Sequence, residues 1–75
     1  MKNINILNEL TLYETKGYYI ESKMSINNGI EWYCVVYDLN NDEKHLLSET
    51  TTKEQAYLNA IELVEQLINK ENENI

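Results

Sequence analysis

The chain has no proline and no phenylalanine, two glycines, one cysteine and one histidine, and only six basic residues against thirteen acidic ones. Each shortage excludes something. With Cys34 as the sole cysteine, an intramolecular disulfide cannot form. With His45 as the sole histidine there is no Cys/His cluster, so no structural zinc site, metal or cofactor is expected. Gly17 and Gly29 stand apart and form no glycine-rich phosphate loop. A Cys34–His45 dyad would need an exposed thiol, whereas Cys34 falls on a face expected to be buried, where it acts as a small apolar residue. His45 reads as a solvated turn or edge residue. Carboxylate pairs exist by number alone and imply no pocket. No catalytic residue is therefore expected, and the chain does not read as an enzyme.

Long apolar runs are missing too. Asn and Glu interrupt residues 1–12, so a signal peptide is not expected. No segment approaches the length of a membrane-spanning helix. A lone free cysteine fits a reducing cytoplasm. The scarcity of positive charge leaves a net charge of −7. Such a surface repels nucleic-acid phosphates and anionic membranes. It favours a basic partner, reached by electrostatic steering.

What is present is globular: 43% hydrophobic and 25% charged residues, close to ordinary domains. Seventy-five residues make one domain, with a thin margin of stability. Domains of this size usually need a disulfide, a metal or a second copy of themselves. Elimination leaves a homodimer, or a well-packed monomer.

Four segments follow one another. Residues 3–13 contain Ile4, Ile6, Leu7, Leu10 and Tyr13, and read either as a short helix capped by Asn3 or Asn5 or as a strand over Leu10–Tyr13. Residues 17–27 alternate, with Ile20, Ser22, Met24 and Ile26 on one face. Asn27-Asn28-Gly29 is a hairpin signal, and residues 30–39 form a β-rich strand. A two-residue turn would set Ile26 against Glu31. A three-residue loop with Gly29 in the left-handed region sets Ile26 against Ile30 and keeps one apolar face, so the second register is expected. Ile20, Met24, Ile26, Ile30, Trp32, Cys34 and Val36 then share a face. Tyr19, Tyr33, Val35 and Tyr37 share the other.

Asn40-Asn41-Asp42 predicts a second turn and residues 44–50 a third strand. Thr51 or Thr52 is expected to cap a helix reaching about Asn69, with Thr51 and Glu54 at capping-box spacing. Ala56, Tyr57, Ala60, Ile61, Val64, Leu67 and Ile68 form its apolar stripe. Glu71 to Ile75 reads as a frayed tail. The expected fold class is α+β: a three-stranded antiparallel sheet packed on one long C-terminal helix, with a short N-terminal element.

Three features are candidates for partner binding. The helix face opposite the stripe carries Glu54, Glu62 and Glu65, and side chains one or two turns apart are separated by roughly 5–11 Å. That approximates the spacing of phosphates along a DNA strand, although a solvated helix looks similar. Leu58, expected in the middle of those glutamates, would anchor the contact. On the sheet, Tyr19, Tyr33 and Tyr37 surround Val35 as an aromatic face. That face reads equally as an interface, as a surface covered by Ile4, Leu7 and Leu10, or as bare sheet.

The pattern GYYIESKMSI, NNG, IEWYCVVYDL and LLSETTTKEQAYLNAIELVEQL resembles small three-strand-plus-helix modules, among them the arm-type DNA-binding domains of phage integrases and the sheet domain of HicB-type antitoxins. The integrase modules are basic, whereas this chain is acidic. Its profile (small, acidic, rich in tyrosine, with the Asn, Ile and Lys usage of AT-rich coding sequence) is similar to that of phage-encoded host-takeover proteins, several of them DNA mimics. That resemblance implies an inhibitor occupying the basic DNA-binding surface of a bacterial protein, such as a replication sliding clamp or a CRISPR effector. The alternative is an antitoxin-like adaptor that binds protein through its sheet.

Overall fold

A computed structural model of the chain describes residues 10–26 and 29–73. In order, these form helix α1 (residues 10–15), strands β1 (Tyr18–Ile26), β2 (Ile30–Asp38) and β3 (Glu43–Leu46), and helix α2 (Lys53–Glu73). The strands build one antiparallel sheet in the order β1-β2-β3, with α2 across one face. The fold is therefore α+β, as the hydrophobic periodicities require.

The first hairpin takes the register that keeps apolar residues together. Ile26 pairs with Ile30, Met24 with Trp32 and Ile20 with Val36. Gly29 has φ of 131°, a region that favours glycine. Asn27 and Asn28 lie outside the described residues. The second turn places Asp42 at φ 55°, which a short polar side chain tolerates. Asp38 holds that turn: its Oδ1 accepts from the backbone N–H groups of Asn40 and Asn41, and its Oδ2 accepts from Asn41 Nδ2. β3 is shorter than residues 44–50. The chain leaves the ladder after Leu46 and returns for one bridge, Trp32 with Thr50.

The core lies between sheet and α2. Ile20, Cys34 and Val36 from the sheet meet Ala56, Ala60, Ile61 and Val64 from the helix. α1 closes one end, through buried Tyr13 and partly buried Leu10. Leu10 thus packs on the helix side of the sheet and does not cover the tyrosine face; Ile4 and Leu7 lie outside the described residues.

Of the two cap candidates, Thr52 is the one that caps α2, because its hydroxyl accepts from the Gln55 N–H at 3.1 Å. The helix also continues to Glu73, past Asn69 and into the stretch expected to fray, and Asn74 and Ile75 lie outside the described residues. In addition, α2 covers only part of the Ile/Trp face. At the far end of the first hairpin Met24, Ile26 and Ile30 are 50%, 70% and 60% exposed. Among the described residues no helix is long and apolar enough to cross a membrane.

Candidate functional site

The glutamates of α2 do not form one free row. Glu54 is exposed in the first turn, where a carboxylate stabilises the positive end of the helix dipole. Glu65 accepts a hydrogen bond from the Tyr13 hydroxyl at 3.1 Å, which ties it to α1. Leu58 is half-buried and packs against the core, so it is not an exposed anchor among the acids. The difference is rotational: a residue at the border of the apolar stripe is reached by the sheet. Glu62 remains exposed.

The tyrosines divide as well. Tyr19 and Tyr37 are direct cross-strand partners, with ring centroids 5.9 Å apart and planes tilted by 40°. Tyr33 lies opposite Lys23, roughly 13 Å further along the strand. It borders a separate hollow with Met24, Leu46 and Glu49. Val35, between these tyrosines along β2, is only 3% exposed, so the centre of this face is closed.

Tyr19 and Tyr37 line a groove of about 380 Å³ with Glu14, Tyr18, Glu21 and Leu39. Its geometry follows from simple local rules. Strand alternation puts Tyr19 and Glu21 on the same face of β1. The antiparallel register sets Tyr37 beside them. The turn after α1, with Gly17 at φ 91°, leads from Glu14 into β1. The Tyr37 hydroxyl donates to Glu21 Oε1 at 3.2 Å, and Lys23 Nζ lies 3.3 Å from the same oxygen. Loss of solvent and the Glu21 carboxylate both raise the Tyr37 phenol above its ordinary value. The Glu21 contact does the same for the Lys23 ammonium.

This arrangement has an aromatic floor, 43% exposed at Tyr19, and a carboxylate on either side. Glu14 is exposed at the rim. A cation placed over the rings would be attracted by their π faces and by the Glu14 carboxylate, Glu21 being already paired with Lys23. Of the residues expected to bind a partner, the structure thus brings together Tyr19 and Tyr37. It leaves Tyr33, Glu54, Glu62 and Glu65 elsewhere. Sequence reasoning missed Glu14, whose position depends on how α1 meets the sheet. It did not single out Glu21, although the i, i+2 relation to Tyr19 was available.

The chemistry of Cys34 and His45 is also defined. Cys34 is fully buried, and burial pushes its thiol up to about 11. His45 stands on the edge strand β3, as expected, but is half-buried there, opposite Val36 and facing the helix side. Compared with known proteins, the chain matches no family model, no curated protein and no solved structure.

Proposed function

We propose that this domain binds a basic protein partner by seating a lysine or arginine side chain in the Tyr19–Tyr37 groove, and so keeps that partner's basic surface from nucleic acid. The observation that carries this reading is the groove itself. It joins two tyrosine rings in tilted contact to Glu14 and Glu21 on a chain of net charge −7. Glu54, Glu62 and Glu65 add to the long-range field that steers a cationic partner without forming the contact. A protein whose DNA-binding surface is occupied in this way is inhibited, which is the role suggested by the likeness to phage host-takeover proteins. The second reading, an adaptor that binds through its sheet, gains support from the groove lying on the sheet and not on α2.

The two readings separate in one experiment. Bacterial lysate is passed over the immobilised full chain, and bound proteins are eluted with salt or with duplex DNA. The inhibitor reading expects DNA-binding proteins that both salt and DNA release, and that Tyr19→Ala or Glu14→Lys no longer retains. Partners that resist salt and DNA but are lost with Tyr19→Ala support the adaptor. Retention unchanged by Tyr19→Ala and Glu14→Lys sinks both.

A further inference from the structure

At the opposite end of the sheet from the hairpin tip, beyond the residues used above, a second cluster gathers. Asp38 ends β2, and the register sets Glu43 directly across from it and His45 across from Val36. Period-two alternation turns Glu43 and His45 to the same side of β3. One donor atom from each of Asp38, Glu43 and His45 lies within 4.8 Å of the others. Two carboxylates directly opposed across a strand pair repel each other. Glu71 of α2 adds a third carboxylate to the same hollow of about 240 Å³, in which Lys70 is the one cation lining the wall.

Two buried atoms here have no partner. His45 Nε2 is buried without a hydrogen bond, its nearest acid oxygen being Glu43 Oε1 at 3.7 Å. The Tyr18 hydroxyl, on a side chain only 1% exposed, has no well-formed hydrogen bond either, with Glu71 and Asn40 as its polar neighbours. Tyr18 is the cross-strand partner of Asp38 and lines the hollow. Burying such groups unpaired costs roughly 1–3 kcal/mol each, so their persistence at one place calls for a ligand that uses them.

From this geometry we infer that Asp38, Glu43 and His45 form a binding site for one divalent first-row cation of the zinc type. Donor atoms around such an ion sit at about 2.0–2.2 Å from it, hence about 3.3–3.6 Å apart in a tetrahedral shell. Glu43 Oε1 and His45 Nε2, 3.7 Å apart, come near that spacing, and a shift on the order of 1 Å of these two side chains toward Asp38 completes the set. Asp38 Oδ1 is filled by the two backbone N–H groups it accepts, but Oδ2 accepts one hydrogen bond and keeps a lone pair for the ion, and those bonds hold the carboxylate in place. The imidazole favours zinc over magnesium, calcium and manganese, which suit oxygen ligands. The ion would relieve the opposed carboxylates and link β2 to β3, supplying the staple that a domain of this size otherwise lacks.

The test uses the full chain, purified without a polyhistidine tag and stripped of metal. Zinc, manganese and magnesium are titrated by calorimetry while the side-chain nitrogens of His45, the only imidazole, are followed by NMR. The expected result is one zinc per chain, a large shift of one His45 nitrogen, weaker binding of manganese and no competition from equimolar magnesium. His45→Gln and Glu43→Gln should each weaken zinc at least roughly tenfold. Asp38→Asn removes a turn-holding group as well, so it is interpreted only alongside a circular dichroism spectrum of folded protein. An unmoved His45 resonance at millimolar zinc overturns the proposal, whether or not the variants fold. Equal zinc affinity in folded His45→Gln also overturns it, since the ion would then be held by surface carboxylates alone.

Discussion

Single residues carry two sharp consequences. The first concerns Gly17, at φ 91° with the Asn40 side chain 2.7 Å from where a Cβ would stand. Asn40 Nδ2 donates to the Lys16 carbonyl, and the Gly17 carbonyl accepts from the Leu39 N–H, so neither side can easily give way. Gly17→Ala should lower stability by about 1–3 kcal/mol, read as a fall in the urea midpoint with an unchanged slope. An unchanged midpoint would show that the turn tolerates another φ. The second concerns Cys34. Its thiol ionises at about 11 in the folded chain against an ordinary 9.0, because burial disfavours the thiolate. Unfolding therefore releases a proton within that window. The stability tied to this thiol is complete below pH 9 and declines as pH rises toward 11, by on the order of 2 kcal/mol. Cys34→Ala abolishes that decline. Urea midpoints of the two proteins should diverge between pH 8 and 11 in favour of the variant, and a pH-independent difference would refute the assignment.

At the scale of elements, what could be read in advance depended on how locally each is specified. The register of the β1–β2 hairpin was legible because one choice alone keeps Ile26 and Ile30 on a common apolar face. The stripe of α2 was legible for the same kind of reason. The helix start was not, since Thr51 and Thr52 are adjacent and both precede a polar residue at the right spacing. Geometry decides for Thr52: its hydroxyl reaches the Gln55 N–H, while Gln55 Nε2 turns away to Asn59. Thr52→Ala should then cost about 1 kcal/mol, and Thr51→Ala less than about 0.5 kcal/mol, in thermal or urea unfolding. The reverse order would return the cap to Thr51. The Asp38–Glu43–His45 cluster escaped a cysteine-and-histidine count because it needs the register of the second hairpin. That register depends on a turn closed by Asp42 in the left-handed region, which residue types alone do not fix. The groove escaped for a tertiary reason, the placement of Glu14 by α1.

For the whole molecule, charge acts in two directions that one variable separates. The described fold is thin, with extents of 44 × 28 × 16 Å, so its surplus carboxylates are spread over a large surface for their number. Among the described residues the ion pairs are Lys23 with Glu21 and, when the imidazole is protonated, His45 with Glu43. Most acidic groups therefore repel one another at low ionic strength. Screening shortens their reach from about 30 Å at 0.01 M salt to about 8 Å at 0.15 M. Added sodium chloride should raise the melting temperature of the metal-free protein by a few degrees over that range. The same change should weaken a basic partner held at the Tyr19–Tyr37 groove, because it screens an attraction and not a repulsion. Opposite responses of stability and binding are the signature of a chain whose charge serves recognition at a cost in self-repulsion. A melting temperature indifferent to salt would mean that the acids are locally compensated, and the net charge would then no longer support a cationic partner.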